Sequence, residues 1–530
     1  MDLIISSLRI PVEKDGVDEY LKAASQRLKI SEQDIKFVKV LSKSLDASSK
    51  EQFYYEMSIV VTALDTFDNN QNLPVYTEDI NEDRISKNIK ERPIIVGFGP
   101  AGMFAALELI DYGIKPVIFE RGKKIEERSI DVQRFIKERV LDPESNIQFG
   151  EGGAGSYSDG KLFSRTKTKN TKYINRVLDT FIKFGAPEEI GYVSKPHLGT
   201  DVLCRIVRNI RDYILERGGE IHYSSKMTDI IISDDKVSGV VINGEREYRS
   251  SILYLAVGHS ARDSFEMFHK KGIVIEQKPI SVGLRIEHPV ETINLIRYGS
   301  KYKKFPGIGA ATYSFNYTNR KEGRGVNTFC MCPGGEVVNA SSEYGMAVVN
   351  GMSYSSRSSE FSNAALVVTC HTADYRSTDP LAGIEFQKGI ERKAFNASGG
   401  KWEVPAQNLV DFLSGRNSVD LNRNSFKMGA ASANMNEIFP KFISDALLNA
   451  FRSWEEDYPL FVSEQAILLG AETRTSSPVR IKRSEKYESV NIKNLYPIGE
   501  GSGYTGGITS SAADAIKAVE ASLSTIGGFA

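Results

Sequence analysis

The sequence is poor in cysteine and carries almost no net charge, and each property excludes a class of protein. Four cysteines among 530 residues are too few for a disulfide framework, which indicates a reducing compartment. The formal net charge of −1 gives no overall field that would favour nucleic acid or a membrane surface. No apolar run approaches the roughly 20 residues that a membrane-spanning helix needs.

Signals for secretion and for metal binding are also missing. The first residues, MDLIISSLRIPVEKDG, contain no basic flank leading into a long apolar stretch, so we expect no signal peptide. None of the six histidines is spaced from a serine, cysteine or carboxylate in the manner of a triad or a metal site. We therefore expect a cytoplasmic, soluble protein without a metal, and its length indicates several domains.

Residues 1–67 show the pattern of a small β-α-β-β module. DLIISSLRIPV, IKFVKVLSKSLDA and FYYEMSIVVTAL are typical of strands, and VDEYLKAASQRL has the periodicity of an amphipathic helix. The composition turns polar over residues 68–91, which predicts a linker or a wrapping segment.

A glycine-rich fingerprint follows in PIIVGFGPAGMFAALELIDYGIKPVIFERG. Gly97, Gly99 and Gly102 form GxGxxG between a β-branched strand and a helix rich in alanine and leucine. These glycines permit a tight turn, a close approach to a pyrophosphate and close packing of the helix on the strand. Glu120 ends the next strand about 20 residues later, where the fingerprint places a carboxylate that accepts hydrogen bonds from a ribose. The sequence therefore predicts a dinucleotide site.

Two further segments resemble the flavoproteins that contain two dinucleotide-binding folds, the glutathione-reductase-like superfamily. LYLAVG, ending at Gly258, is similar to their strand and turn beside the FAD pyrophosphate. NLYPIGEG is similar to their late strand, whose acidic residue contacts the ribityl chain; that residue is usually Asp and here is Glu500. The resemblance implies that a helix from about Ile508 directs its N-terminus at the flavin, where a partial positive charge stabilises the reduced form.

Several blocks also resemble a little-characterised family of bacterial FAD-dependent dehydrogenases. They are NIQFGEGGAGSYSDGKLFSR, KPHLGTDVL, GLRIEHP, FCMCPGGEVV, NGMSYSSR, ETRTSSPVRI and YPIGEGSGYTGGITSSAADA. The resemblance implies an α/β fold: a discontinuous Rossmann-type FAD-binding domain, an inserted α+β substrate domain and the small N-terminal module. It implies FAD and a redox reaction but supplies no substrate. The expected domains are residues 1–67, the linker at 68–91, the FAD-binding domain at 92–275 and 466–530, and the substrate domain at 276–465.

The fingerprint and the resemblance together predict a set of cofactor-binding residues. They are Gly97, Gly99, Pro100, Ala101, Gly102, Glu120, Arg121, Gly153, Ala154, Lys161, Met227, Ala256, Gly258, Gly499, Glu500, Gly506, Gly507 and Ile508. Disulfide reductases of this superfamily carry CxxxxC beside the flavin, whereas this chain has Ser156 and Ser158 in that region. Lys161 is either a hydrogen-bond donor to the flavin or an ordinary loop residue.

The sequence shows no dedicated domain for a pyridine nucleotide. GIGAAT at residues 307–312 lacks the third glycine and the strand and helix around it. A pyridine nucleotide that reduces the flavin would therefore dock transiently; otherwise the substrate itself donates the hydride.

Four residues, Cys330, Cys332, Arg474 and Arg285, are candidates for catalysis. On a regular strand Cys330 and Cys332 would share a face with Cα atoms about 6.6 Å apart, at the upper end of the roughly 4.4–6.8 Å disulfide range. They are either a redox pair or small core residues, and the core interpretation is favoured. Arg474 and Arg480 would either grip a substrate anion or pair with Glu472 or Glu500. Arg285, with His288, is a further candidate to face the ring.

Two functions remain open at this point. The first is hydride transfer between FAD and an unidentified small molecule, with no nucleic acid and no membrane as partner. The second is a flavoprotein that acts on or senses RNA or a protein docked through the N-terminal module, a hypothesis that rests on Lys36, Lys39, Lys43 and Lys50. The charged segment at residues 123–140 predicts a solvated amphipathic helix.

Overall fold

The computed structural model describes residues 1–64, 66–77, 84, 89, 91–162, 171–320 and 322–526. Much of the predicted linker at 68–91 lies outside the described residues. So do the last three residues of the block NIQFGEGGAGSYSDGKLFSR and the last four of the predicted C-terminal FAD-binding part.

The N-terminal module has the predicted order of strand, helix, strand, strand. Its elements are β1 (Asp2–Pro11), α1 (Val17–Leu28), β2 (Ile35–Asp46) and β3 (Tyr54–Ala63). The three strands form an antiparallel sheet in the order β1-β3-β2. One face of the sheet buries Ile5 and Ile59 against Ala24 of the helix, because side chains alternate along a strand.

Part of the predicted linker pairs with the module. Ile4 donates its N–H to Pro74 O over 2.8 Å, and Tyr76 donates to Asp2 O over 2.9 Å. This stretch therefore wraps along β1 and protects an edge strand that would otherwise present unpaired backbone groups.

A second body follows, built on a parallel sheet. Its elements, in chain order, are β4 (Ile94–Val96), α2 (Pro100–Asp111), β5 (Val117–Phe119), α3 (Ile125–Glu138), α4 (Thr171–Lys183), α5 (Thr200–Glu216), β6 (Glu220–His222), β7 (Met227–Ser233), β8 (Lys236–Ile242), β9 (Arg246–Arg249), β10 (Leu253–Leu255) and α6 (Arg262–Lys270). Strands β7, β8 and β9 form a separate antiparallel sheet.

The remaining elements form an antiparallel-sheet unit and then return to the parallel sheet. They are β11 (Ile275–Gln277), β12 (Ile280–Pro289), α7 (Val290–Tyr298), β13 (Asn316–Asn319), β14 (Arg324–Cys332), β15 (Glu336–Asn339), β16 (Val349–Met352), β17 (Phe361–Cys370), α8 (Ala382–Ala397), β18 (Val404–Asn408), α9 (Leu409–Leu413), β19 (Ala430–Ser432), α10 (Met435–Ile438), α11 (Lys441–Asp457), β20 (Ile467–Glu472), β21 (Val479–Ile481), β22 (Leu495–Pro497) and α12 (Ile508–Ile526). The large sheet of this unit has the order β13-β14-β17-β12-β20-β18-β19, with only β18 and β19 parallel.

The parallel sheet joins segments that lie far apart in the sequence. Its order is β22-β10-β4-β5-β6, and each pair is parallel, so the last strand of the chain lies beside β10. Helix α12 packs its alanine-rich face on α2 in the same hydrophobic core. The antiparallel-sheet unit is therefore inserted between two parts of one sheet.

The first βαβ turn depends on glycine. Gly97 has φ +100°, and a Cβ built on it would lie 2.3 Å from Ala256 O on the neighbouring strand. A Cβ on Gly102 would lie 1.9 Å from Gly97 O. Both positions exclude a side chain, which is why the helix can pack directly on the sheet.

Residues 123–140 contain the expected amphipathic helix, α3, but one of its charged residues is buried. Arg128 of α3 has no exposed surface, and its guanidinium donates to the carbonyl oxygens of Asn146, Ile147 and Glu151 over 2.7–2.9 Å. The charge is buried because it ties the helix to the loop that follows.

No helix within the described ranges is both long enough and apolar enough to cross a membrane.

Candidate functional site

A cavity of about 1150 Å³ opens at the carboxyl ends of the parallel strands. Four strands are followed at once by residues that line it: β4 by Gly97, β5 by Glu120, β10 by Ala256 and β22 by Ile498. Open α/β sheets bind ligands at this edge, and the volume exceeds the roughly 300–1,000 Å³ of typical small-molecule sites.

Glycines bring the segments of the cavity wall into backbone contact. A Cβ built on Gly153 would lie 3.0 Å from Gly99 Cα, and one built on Gly155 would lie 3.2 Å from Ile508. The stretches near residues 100, 155, 258 and 503 therefore converge in space, as the sequence predicted.

The structure brings most of the predicted cofactor residues together. All of them line the cavity except Gly102 and Gly499. Gly102 lies under the Gly97 carbonyl, and Gly499 packs on Ala101, where a Cβ would come within 2.6 Å. These two glycines allow close packing behind the wall.

The carboxylate of Glu120 organises the dinucleotide end. It is 4% exposed and accepts N–H groups from Phe98 (2.8 Å), Gly122 (2.9 Å) and Gly150 (2.9 Å). A carboxylate offers about four acceptor sites, so one site on Oε2 remains for a ribose hydroxyl. The geometry fits the role predicted for this residue.

The N-termini of α2, at Pro100, and of α12, at Ile508, reach the cavity. Gly258 (φ +73°) and Gly507 (φ +89°) line the same space, and a Cβ on either would meet nothing within 4 Å. The wall is therefore open at glycine positions and carries partial positive charge, which fits a dinucleotide.

Arg121 also lines the cavity but is held by protein carboxylates. Its guanidinium donates two hydrogen bonds of 3.0 Å to Asp263 and one of 2.6 Å to Glu144. Burial acts to raise the pKa of Asp263, but Arg121 and Lys226 lower it to about 2. Arg121 therefore forms part of the cavity wall as a member of an ion-pair network.

Glu500 faces the cavity from the last glycine segment. Burial raises its pKa to about 7, against the opposing effects of the Gly507 N–H and the Lys278 charge. Lys278, which precedes β12, lines the same region, and burial lowers its pKa. Nothing in the local sequence signals Lys278, because it reaches the site only through the tertiary fold.

Lys161 points its ammonium group at Asp159, with which it forms a short ion pair on the cavity wall. Burial acts to lower the pKa of Lys161, but the carboxylate of Asp159 acts to raise it, and the pKa is raised overall. Lys161 is therefore a charged hydrogen-bond donor on the cavity wall, although this ion pair already occupies part of its donor capacity.

Arg474 lines the cavity, but its ion-pair partners differ from those predicted. It donates to Glu391 (3.2 and 3.0 Å) and to the hydroxyl of Ser342 (2.6 Å), while Glu472 pairs with Arg285. Burial acts to raise the pKa of Glu391, yet Arg262 and Arg474 hold it well below its usual range. Arg480 likewise pairs with Glu276.

The hypothesis that Arg285 faces the flavin ring is not supported by the geometry. Arg285 is fully buried, does not line the cavity within the described residues, and pairs with Glu472 through Nε (2.5 Å) and Nη2 (3.1 Å). Its remaining N–H groups bond Asn363, Asn350 and the Cys330 carbonyl. Arg285 therefore positions the strands behind the cavity.

His288 also lies in the interior, bonded to Phe461 O over 2.8 Å.

Cys330 and Cys332 do not have the regular strand geometry expected of them. The pairing of β14 with β17 shifts register between Phe329 and Cys332, and Cys330 has φ +43°. Both cysteines are free; Cys330 lines the cavity, and Cys332 lies behind it with its thiol 3.3 Å from Cys330 O. Burial raises the pKa of both thiols, Cys332 to about 12, which disfavours thiolate chemistry.

Comparison with known proteins identifies relatives over the whole chain. Residues 279–475 match a family model described as FAD-dependent protein, C-terminal domain-like, and residues 2–62 match a domain of unknown function. An uncharacterized protein of Clostridium beijerinckii is 40% identical over 534 residues, which is 98% of each chain.

Solved structures show weaker likeness. The glycerol-3-phosphate dehydrogenase of Bacillus halodurans in complex with FAD is 10% identical, with 82% of this chain and 65% of that chain covered and a TM-score of 0.37. A geranylgeranyl bacteriochlorophyll reductase-like protein of Thermoplasma acidophilum is 12% identical, with 83% and 79% covered and a TM-score of 0.35. These TM-scores are too low to support a functional assignment.

Proposed function

Because this chain belongs to a family of FAD-dependent flavoproteins, we propose that it is an oxidoreductase that transfers a hydride between FAD and a small molecule. The observation that supports this most directly is the convergence of four remote segments on one cavity at the carboxyl ends of the parallel strands. FAD, when bound, supplies a ring that accepts or donates a hydride.

The roles of the wall residues follow from their positions. The N-terminus of α2 would hold the pyrophosphate, and the remaining acceptor site of Glu120 would bind the adenosine ribose. The N-terminus of α12 would face the flavin, where its partial charge favours the anionic reduced ring. This arrangement supports placement in the superfamily with two dinucleotide-binding folds.

The antiparallel-sheet unit supplies the opposite wall, and we place the substrate there. Tyr313, Cys330 and Asn350 line the cavity from this unit, while the parallel-sheet segments line the other side. The proposed domains are therefore the predicted ones, with residues 276–465 enclosing the substrate against the FAD-binding parts at 92–275 and 466–530.

The electron donor is either the substrate or a pyridine nucleotide that docks transiently. Two GxGxxG triplets lie between a strand and a helix, at Gly97 and at Gly501; both border the same cavity, and we assign both to FAD. A nicotinamide would therefore approach through the cavity mouth.

Contacts of the N-terminal module favour a bracing role over partner recognition. Phe53 is fully buried, with its ring 4.9 Å from that of Phe305 and 5.6 Å from that of Tyr298 in the antiparallel-sheet unit. Lys43 pairs with Asp15, and its backbone bonds Tyr192 and Ser194 of the second body. At least one of the lysines that suggested RNA binding therefore makes contacts within the protein.

Anaerobic stopped-flow reduction of the purified protein tests the proposal. A yellow protein whose absorbance bleaches with NADH or NADPH would be a reductase, and one that bleaches only with a metabolite would be a substrate dehydrogenase. A colourless protein that binds no added FAD in calorimetry would refute the assignment.

A further inference from the structure

Positively charged side chains gather in the part of the cavity that lies against the antiparallel-sheet unit. Lys161, Lys195 and Arg357 all line this part of the wall. Lys161 and Lys195 come from paired segments, because Lys161 forms a β-bridge with His197 and Leu162 donates to Pro196 O. Lys195 is also 3.2 Å from the hydroxyl of Thr312.

The carboxylates of this region do not cancel those charges. Asp159 is the shared partner of Lys161 and Arg357, with Arg357 Nη2 3.1 Å from its Oδ2. Burial acts to raise the pKa of Asp159, but Lys161 and Arg357 lower it, so Asp159 carries one negative charge. Glu472, which also lines the cavity, is paired with the buried Arg285. The three cations Lys161, Lys195 and Arg357 are therefore balanced here by the single charge of Asp159.

His197 adds no charge to this cluster near neutral pH. Burial and the Arg357 charge lower its pKa to about 4, although Asp159 acts in the opposite direction. Its Nε2 lies 3.1 Å from the hydroxyl of Ser353, which in turn donates to Asp159 over 2.5 Å. The neutral imidazole thus holds the position of Asp159 through this serine.

Two donors in the same wall lack acceptors. The hydroxyl of Tyr313 and Nε of Arg357 are both buried and have no hydrogen-bond partner among the described residues. A buried donor left without an acceptor destabilises a protein by about 1–3 kcal/mol. Native proteins rarely leave buried donors without an acceptor. Because both residues line the cavity, a ligand with oxygen acceptors would accept the missing hydrogen bonds from these two donors.

We propose that Lys161, Arg357 and Lys195, with Tyr313, form a subsite for an oxyanion of the substrate, a carboxylate or a phosphate. This inference rests on the proposed function, because it treats this wall as the substrate side of the flavin. Lys161 then contacts substrate instead of serving only as a loop residue. The planar Arg357 guanidinium supplies directional donors, and Lys195 attracts the anion at the exposed mouth of the cavity.

Titration of the FAD-loaded protein with oxalate, inorganic phosphate and neutral oxamide tests the subsite. Binding is measured by calorimetry and by the perturbation of the bound flavin's visible spectrum. We expect one of the two anions to bind with a Kd at least about tenfold lower than that of oxamide, and the preferred anion identifies the group as carboxylate or phosphate. Lys161→Gln and Arg357→Gln should each weaken that anion about tenfold or more, in line with the strength of charged hydrogen bonds.

Matched controls separate local from general effects. Lys304→Gln and Arg392→Gln change exposed residues that do not line the cavity and should leave the anion Kd unchanged. The FAD content of each variant is measured in parallel. Two outcomes with FAD retained would overturn the subsite and leave the oxidoreductase proposal standing. In the first, the wild type binds neither anion more tightly than it binds oxamide. In the second, both cavity variants bind the anion with wild-type affinity. A wild-type protein that binds no FAD would overturn both.

Discussion

Gly501 and Gly258 meet so closely that a Cβ built on Gly501 would lie 2.6 Å from the carbonyl oxygen of Gly258. The two residues are far apart in the chain, and their contact joins the strand-end loops of β10 and β22 at the cavity. We expect Gly501→Ala to force these loops apart and to weaken FAD binding at least about tenfold, because overpacking by one methyl group destabilises by about 1–3 kcal/mol. Calorimetric titration of the apoprotein with FAD measures the change.

Gly389 provides the control for this substitution. It lies in α8, and a Cβ there would meet nothing within 4 Å. Gly389→Ala should leave FAD affinity unchanged and raise the thermal midpoint slightly, since alanine favours a helix. Equal FAD affinities for Gly501→Ala and the wild type would contradict the convergence of the loops.

Glu120→Gln should loosen the dinucleotide end of the site. Oε1 of Glu120 accepts two N–H groups, from Gly122 and Gly150, and Oε2 accepts a third from Phe98. An amide would direct its own donors at one of these N–H groups, which leaves it unpaired at a cost of about 1–3 kcal/mol. We expect a lower thermal midpoint and weaker FAD binding, whereas Glu247→Gln on the exposed strand β9 should change neither.

The fingerprint could be predicted from the sequence because its requirement is local. Contacts with the adjoining turn and strand leave no room for a side chain at Gly97 and Gly102. Each position therefore requires glycine, and this requirement is visible in the sequence. The order of helices and strands in the N-terminal module could also be predicted, since it follows from the hydrophobic periodicity of segments of about ten residues.

Pairings between distant residues could not be predicted in the same way. From the sequence, Arg474 would either grip a substrate anion or pair with Glu472 or Glu500. In the structure its partner is Glu391 on α8, and Glu472 pairs with Arg285 on β12. A charged residue does not specify its partner until the chain is folded. The bulge at Cys330 has the same origin, because it arises from the pairing of β14 with β17.

The buried ion pair of Arg285 and Glu472 should be strongly coupled. Arg285→Met or Glu472→Leu alone leaves a buried charge without its partner and should cost roughly 3–5 kcal/mol of stability. The double variant should lose less than the sum of the two, because both charges are then removed. Thermal midpoints and urea unfolding of the four proteins give the coupling.

The exposed pair of Arg249 and Glu247 serves as the comparison, with side chains 65% and 55% exposed. Its removal by Arg249→Met should cost no more than about 1 kcal/mol. If the two arginine substitutions prove equally mild, Arg285 does not have the positioning role assigned to it.

Glu500 should make stability depend on pH. Its pKa is raised by burial to about 7 in the folded protein, from an ordinary value of 4.5. The folded state therefore binds this proton more tightly than the unfolded chain does, and the resulting stabilisation is lost as the pH rises from about 4.5 to about 7. Glu500→Gln should remove this loss, so its free energy of unfolding relative to that of the wild type should rise across that window, by up to about 3 kcal/mol.

The measurement is made on apoprotein by calorimetry at several pH values, and the difference between variant and wild type isolates Glu500 from other titrating groups. The same change at the exposed Glu485 should give a profile parallel to the wild type. A constant offset between Glu500→Gln and the wild type from pH 4.5 to 8 would show that the pKa of this carboxyl is not raised in the folded protein.

Substitution of Phe53 tests whether the N-terminal module braces the protein or recognises a partner. Its ring is fully buried between the module and the aromatic side chains of Tyr298 and Phe305, so Phe53→Ala should destabilise the whole chain by roughly 3–5 kcal/mol. Tyr344→Ala, at a residue that is 65% exposed, should cost far less. Deletion of residues 1–66 would uncover the same apolar socket, and we expect the truncated protein to aggregate or to lose FAD. A truncated protein that keeps both FAD and its thermal midpoint would instead show a module free to serve a partner, and the bracing role would have to be abandoned.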